Sequence, residues 1–171
     1  VTGGVESMTR APFVVAKAEQ PFTKNFTVFD SSLGARFPNP KIESLFGANG
    51  WGAMWRNGVY DYLHYHSTVH EVLGVARGHA RVQFGGDHGK ALDITAGDVA
   101  ILPAGTGHQL ISASEDFCVV GAYPPGSQME ITRPTPANHA KALKTIPEVK
   151  SPDTDPVRGA QGPLLRLWKR D

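Results

Sequence analysis

Between residues 48 and 126, turn-forming residues interrupt the chain at short, near-regular intervals, and this rhythm restricts the fold more than any other feature. Segment 51–56 reads as a strand. It is followed by Asn57-Gly58, a pair that tolerates positive φ and predicts a two-residue hairpin into segment 59–66. Alternation along 59–66 places Tyr60, Tyr62, His64 and His66 on one face. Segment 71–77 is rich in Val and Leu and ends at Gly78. Segments 79–84 and 91–95 flank the loop Gly85-Gly86-Asp87-His88-Gly89, and Ala96-Gly97-Asp98 makes the next turn. Segment 99–102 is stopped by Pro103, and 108–113 follows Ala104-Gly105-Thr106-Gly107. Ser114-Glu115-Asp116 turns the chain into 117–123, and Pro124-Pro125-Gly126 closes the region. About eight short strands at roughly 8–12-residue spacing predict an all-β sandwich or barrel. No strong helical period separates them, so the sheet is expected to be antiparallel, with closure leaving few bare edges.

The flanks read differently. Residues 1–47 are weakly periodic and are expected to form an N-terminal arm, with residues 48–126 as the barrel core. Residues 127–171, rich in proline and charge, are expected to wrap the barrel as a C-terminal extension with one helix near 137–146. The length of 171 residues fits one domain with tails. Seventeen basic and sixteen acidic side chains leave a formal charge of +1, with no clustered basic excess to serve nucleic acid or a membrane surface. No stretch approaches the roughly 20 apolar residues of a membrane span, and the first residues are not framed as a signal peptide. With the single cysteine, Cys118, the expected compartment is the cytoplasm.

Four residues carry the chemistry. His64 and His66 are two apart, so on extended backbone both imidazoles reach one point. Glu71 begins the next strand beyond a kink at residues 67–69, and His108 opens a strand just past a Pro-x-Gly turn. A barrel that sets His108 beside the first pair completes a set of three imidazoles and one carboxylate. Such a set suits one divalent Fe, Mn, Ni, Zn or Cu ion and leaves positions for water or substrate. His66-x3-His70 offers a rival ligand set if the kink lies elsewhere.

The full pattern is His64-x-His66-x4-Glu71-x6-Gly78, then Gly97-x5-Pro103-x-Gly105-x2-His108. It resembles the two motifs of the cupin superfamily, turn glycines and proline included. Ser112 stands where that family usually has an asparagine, a position that is not a metal ligand. The resemblance implies a double-stranded β-helix (jelly-roll) barrel with the metal inside, a small-molecule ligand or substrate, and a homodimer. Residues from about 42 to 168 are similar to a bacterial single-cupin subfamily, through NGWGAMWRNGVYDYLHYHSTVHEVLGVARG, AGDVAILPAGTGH, VVGAYPPG and DPVRGAQGPLLRLW. The implied activities are of dioxygenase, isomerase or decarboxylase type, with a non-catalytic metal- or ligand-binding module as the alternative.

Residues 3–46 resemble an internal stretch of thiolases, but the catalytic cysteines and histidine of thiolases fall outside that stretch, so thiolase chemistry is not expected. The segment is read either as a remnant packing on the barrel or as functionally silent. Cys118, within Phe117-Cys118-Val119-Val120, reads as a small buried hydrophobe. No nucleophile elbow accompanies Ser67 or Ser112. Tyr60 and Tyr62 are read as pocket mouth or as core, and Arg77 as an anion anchor or as an ordinary surface charge. Trp51, Trp55 and Trp168 are expected to serve packing.

Overall fold

The computed structural model describes residues 42–168 in full, together with the backbone of residues 2–7, 13–16 and 28–30. Most of the expected N-terminal arm, residues 1–47, lies outside the described residues. Its described strands are β1 (Thr2–Ser7), β2 (Phe13–Ala16) and β3 (Val28–Asp30), with β1 antiparallel to a barrel strand.

Seven strands make the barrel: β4 (Gly52–Asn57), β5 (Glu71–Arg77), β6 (His79–Phe84), β7 (Lys90–Thr95), β8 (Asp98–Leu102), β9 (His108–Ala113) and β10 (Cys118–Tyr123). Every pairing is antiparallel. One sheet runs β3-β2-β1-β8-β5-β10-β4 and the other β7-β6-β9, the two-sheet form of an all-β jelly roll. The turns fall where glycine is required: Gly78, Gly85 and Gly97 all have positive φ.

Strands β5, β8 and β10 are buried on both faces, which explains their unbroken apolar runs. Leu73, Val75, Ala100, Leu102 and Val119 face the other sheet, where Val82, Phe84 and Ile94 meet them. Their neighbours Val72, Val99, Ile101 and Val120 face outward into a second core. Helix α1 (Ile42–Ala48) covers that outer face through Ile42 and Phe46, together with Trp51, Val157, Leu164 of helix α3 (Pro163–Leu167), and Trp168. Each such side chain, fully buried, contributes roughly 1.5–3 kcal/mol. A Cβ on Gly74 would stand 2.6 Å from Ile42 Cγ2, so the helix seats directly on β5. Neither short helix was expected from the sequence, and the arm boundary near residue 47 falls inside α1. Helix α2 (Pro136–Thr145) matches the helix expected at 137–146. Thr135 caps it, accepting from the Asn138 N–H, and Pro136 begins it.

Two expectations fail. Asn57-Gly58 is not a hairpin turn: β4 pairs with β10, and the Gly58 N–H donates to Asn57 Oδ1 at 2.8 Å. Segment 59–66 is not a strand; it carries isolated bridges, His64 to His108 and Tyr65 to Thr132, and accepts single backbone hydrogen bonds at Tyr60 from Leu110 and at His66 from Gly105. It is a connection across the barrel mouth, curved so that its histidines face inward. Among the described residues no helix is long and apolar enough to cross a membrane.

Candidate metal centre

Glu71 begins β5 on its inward phase, level with Leu102 of β8. His108 begins β9 and is level with Phe84 of β6. The Gly105 turn, with φ of 87°, reverses the chain between β8 and β9, and its N–H donates to the His66 carbonyl at 2.7 Å. His64 and His108 exchange both backbone hydrogen bonds, at 3.2 and 2.8 Å, so the two halves of the motif are stitched together by main chain.

All four predicted residues converge. His64, His66 and His108 are buried and bring ring nitrogens within 4.8 Å of one another. Glu71 is not a member of that trio, but its Oε2 lies 3.2 Å from His66 Nε2 and 3.3 Å from His108 Nε2. Donors about 2.1 Å from one ion stand roughly 3–4.2 Å apart. The two Glu71–imidazole distances already fall in that range, and a nitrogen pair near 4.8 Å must close by roughly 0.6 Å or more to share the ion.

The tautomers favour an ion. His64 Nδ1 donates to the Tyr62 carbonyl and His108 Nδ1 to the Thr106 carbonyl, each at 3.1 Å, and His66 Nδ1 donates to the Glu130 carbonyl. A carbonyl only accepts, so each Nδ1 carries a proton, and a ring in its neutral form then presents a bare Nε2 to the site. His66 Nε2 and Glu71 Oε2 are buried and close, yet neither has a hydrogen bond of proper geometry. Lone pairs facing each other this way need a cation between them, either a proton or a metal.

Electrostatics agree. Burial raises the Glu71 carboxyl, but His108 and His66 outweigh it and hold the group well below the usual carboxylate range. Burial pulls His66 down, and Glu71 more than offsets this, so its net shift is upward. Burial, then neighbouring His108, lowers His64 to about 4, which keeps it neutral.

Sequence reasoning missed the residues that hold Glu71. Tyr123 Oη donates to Glu71 Oε1 at 3.1 Å and accepts from Trp55 Nε1 at 2.7 Å. Burial, then the Glu71 charge, pushes the Tyr123 phenol well above its usual range, so it stays a donor. Gly121 makes the contact possible, since a Cβ there would lie 2.1 Å from the Trp55 ring. The inward phase of Val119, Gly121 and Tyr123 was the available signal. A strap from the C-terminal extension was missed too: besides the Glu130 carbonyl, Ser67 Oγ donates to the Glu130 carboxylate, and Thr132 Oγ1 does so at 3.1 Å.

The rival ligand is ruled out. His70 Nδ1 accepts from the Ala104 N–H at 2.9 Å, Nε2 donates to the Lys150 carbonyl at 3.1 Å, and the ring packs on Trp168. Arg77 is exposed at the far end of β5, about 20 Å along the strand from Glu71. Tyr60 and Tyr62 stack on each other and meet the His64 ring edge-on, at the mouth and not in the core. Ser112 is exposed opposite Arg81, away from the site.

The family model for the cupin domain matches residues 54–121, which contain His64, His66, Glu71 and His108. The chain is 41% identical to the uncharacterized protein YjlB of Bacillus subtilis over 126 residues, 74% of this chain and 76% of that protein. It therefore belongs to the cupin family. A separate match, 42% identical over 62 residues, is to β-ketoadipyl-CoA thiolase of Pseudomonas putida, covering 36% of this chain but only 16% of the thiolase. Among solved structures, acireductone dioxygenase from Bacillus anthracis, with a cadmium ion in its active centre, aligns at a TM-score of 0.34 and 18% identity, over 48% of this chain and 56% of that one.

Proposed function

We propose that the chain holds one divalent transition metal ion through Nε2 of His64, His66 and His108 and Oε2 of Glu71, and that it is a small-molecule enzyme of dioxygenase, isomerase or decarboxylase type. The observation that carries this reading is the set of three imidazoles held at Nδ1 by backbone carbonyls so that their Nε2 atoms converge beside a buried Glu71 Oε2 whose close contacts are two of those nitrogens. An ion of this kind supplies Lewis acidity and, if redox-active, O2 chemistry.

The chain's own residues do the rest. The Nδ1 carbonyl bonds orient the rings, and Tyr123 fixes Glu71 by Oε1 so that Oε2 points into the site. Were Glu71 Oε2 to loosen from the ion, it could pass a proton; no separate catalytic acid or base is assigned. Leu102 and Phe84, level with Glu71 and His108, wall the site with apolar surface and exclude water from beneath it. A small oxygenated molecule would enter past Tyr60 and Tyr62. The protein is further read as a cytoplasmic homodimer.

Elemental analysis of the purified protein tests the first step. His64→Ala and His108→Ala should each lose the metal while keeping the β-rich circular dichroism spectrum. Full occupancy in either variant refutes the ligand set. Oxygen uptake and product analysis with β-diketones, catechols, thiols and keto-sugars then test catalysis. No turnover with any loaded metal would establish a binding module instead.

A further inference from the structure

The strap that closes over the histidine segment also carries a cation to the mouth of the site. Tyr65 and Thr132 exchange backbone hydrogen bonds at 3.0 and 2.9 Å. Alternation on extended backbone therefore sets Tyr65 and Thr132 on one side and His64, His66 and Arg133 on the other. Tyr65 turns outward, packing with Ala104, Ala142 and Ile146, which leaves Arg133 on the histidine side.

The side-chain contacts agree. The Arg133 guanidinium carbon lies 3.5 Å from the centroid of the Tyr62 ring, in a cation–π contact. Tyr60 stacks on Tyr62 at 4.8 Å and 24°, so the two partners take opposite faces of that ring. Tyr62 is itself 5.6 Å from the His64 ring. Adding the two distances from the Tyr62 centroid bounds the guanidinium at about 9 Å from His64.

The base of Arg133 is anchored as well. Its carbonyl accepts from the Thr135 N–H and from Asn138 Nδ2, each at 2.9 Å, at the entry to α2. Arg133 takes part in none of the ion pairs found among the described residues, which are Arg56–Glu43, Arg81–Asp93, Lys141–Glu130 and the two histidine contacts of Glu71. Tyr62 occupies one face of the guanidinium, while the N–H fork lies in its plane and matches a carboxylate bidentately.

We infer that Arg133, steadied by Tyr62, is an anion subsite that selects small molecules carrying a metal-chelating oxygen head and a carboxylate a few bonds away. The inference rests on the metal-site reading above. Arg133 is a specificity residue here: among the described residues its side chain packs on Tyr62 and forms no ion pair with the histidines or Glu71.

A matched pair of probes tests it: 2-oxoglutarate, and 2-oxopentanoate, which has the same chelating head and a methyl group in place of the distal carboxylate. Cobalt(II)-loaded protein is titrated with each, and binding is read from the visible absorption of the ion, not from turnover. Wild type should bind 2-oxoglutarate about tenfold or more tighter, the scale of one charge-assisted contact. Arg133→Gln should erase that preference while leaving cobalt affinity and 2-oxopentanoate binding unchanged, and Arg133→Lys should keep part of it. No preference in wild type, or the same preference in Arg133→Gln, overturns the inference and leaves the metal centre standing. Failure of wild type to bind cobalt overturns both. If Arg133→Gln does not fold, Arg133→Lys and the wild-type preference decide alone.

Discussion

Replacing Tyr123 with phenylalanine removes one oxygen atom and keeps the ring. That oxygen has two jobs: it donates to Glu71 Oε1 at 3.1 Å and accepts from Trp55 Nε1 at 2.7 Å. A hydrogen bond to a charged carboxylate is worth about 1.5–3 kcal/mol. Glu71 is most fully charged and most tightly placed when its other oxygen meets a cation, so most of this loss should appear as weaker metal binding. At 1.4 kcal/mol per tenfold, the expected fall in affinity is about 10- to 100-fold, the range usual for partners that orient a metal ligand. Trp55 Nε1 also loses its acceptor, costing the metal-free protein about 1 kcal/mol, a shift of about 2–4 °C in melting temperature. The assay is competition for zinc against a chromophoric chelator, with melting curves of metal-free and loaded protein. Zinc affinity within about twofold of wild type in folded Tyr123→Phe protein would show that Glu71 needs no such support.

Three further outcomes follow from the same geometry. Zinc affinity should fall as pH is lowered, because Glu71 raises the His66 pKa above its ordinary value and a proton then competes for the same lone pair. The slope should be about tenfold per pH unit for each proton displaced. In the metal-free protein the sign is opposite for His66: its stabilisation by Glu71 is present below the unfolded pKa and fades as pH rises through the raised one. The gap in melting temperature between loaded and metal-free protein should therefore widen with rising pH, and a flat gap between pH 6 and 8 would count against the shared lone pair. Gly121→Ala should drive a Cβ into the Trp55 indole, costing roughly 1–3 kcal/mol and weakening zinc through Tyr123, as denaturant curves and the same competition assay would show. Gly74→Ala makes a similar clash with Ile42 and Phe46 on the outer face, and is expected to lower stability while leaving zinc affinity unchanged.

Local chemistry was enough to read much of this molecule from its residues. Gly78, Gly85 and Gly97 punctuate the strands because their φ is positive, and Pro103 ends β8 because it cannot extend it. These are short-range constraints, so β5 to β10 fall within a residue or so of the segments expected. His64, His66, Glu71 and His108 were legible as candidates from their spacing and the cupin-like pattern, and the structure brings the four side chains together although 59–66 is a curved connection, not the expected strand. Asn57-Gly58 shows the limit: the pair suits a hairpin, yet β4 finds a better partner in β10, far along the chain. Helices α1 and α3, of seven and five residues, are too short to form by their own propensity and exist because they cover the apolar outer face of β5, β8 and β10. Only the tertiary structure could place Tyr123 and Trp55 behind Glu71, the Glu130 carbonyl behind His66, and Arg133 beside the mouth. These contacts join residues distant in sequence, and no local rule of spacing or turn chemistry encodes a meeting that depends on how two sheets and a returning tail pack together.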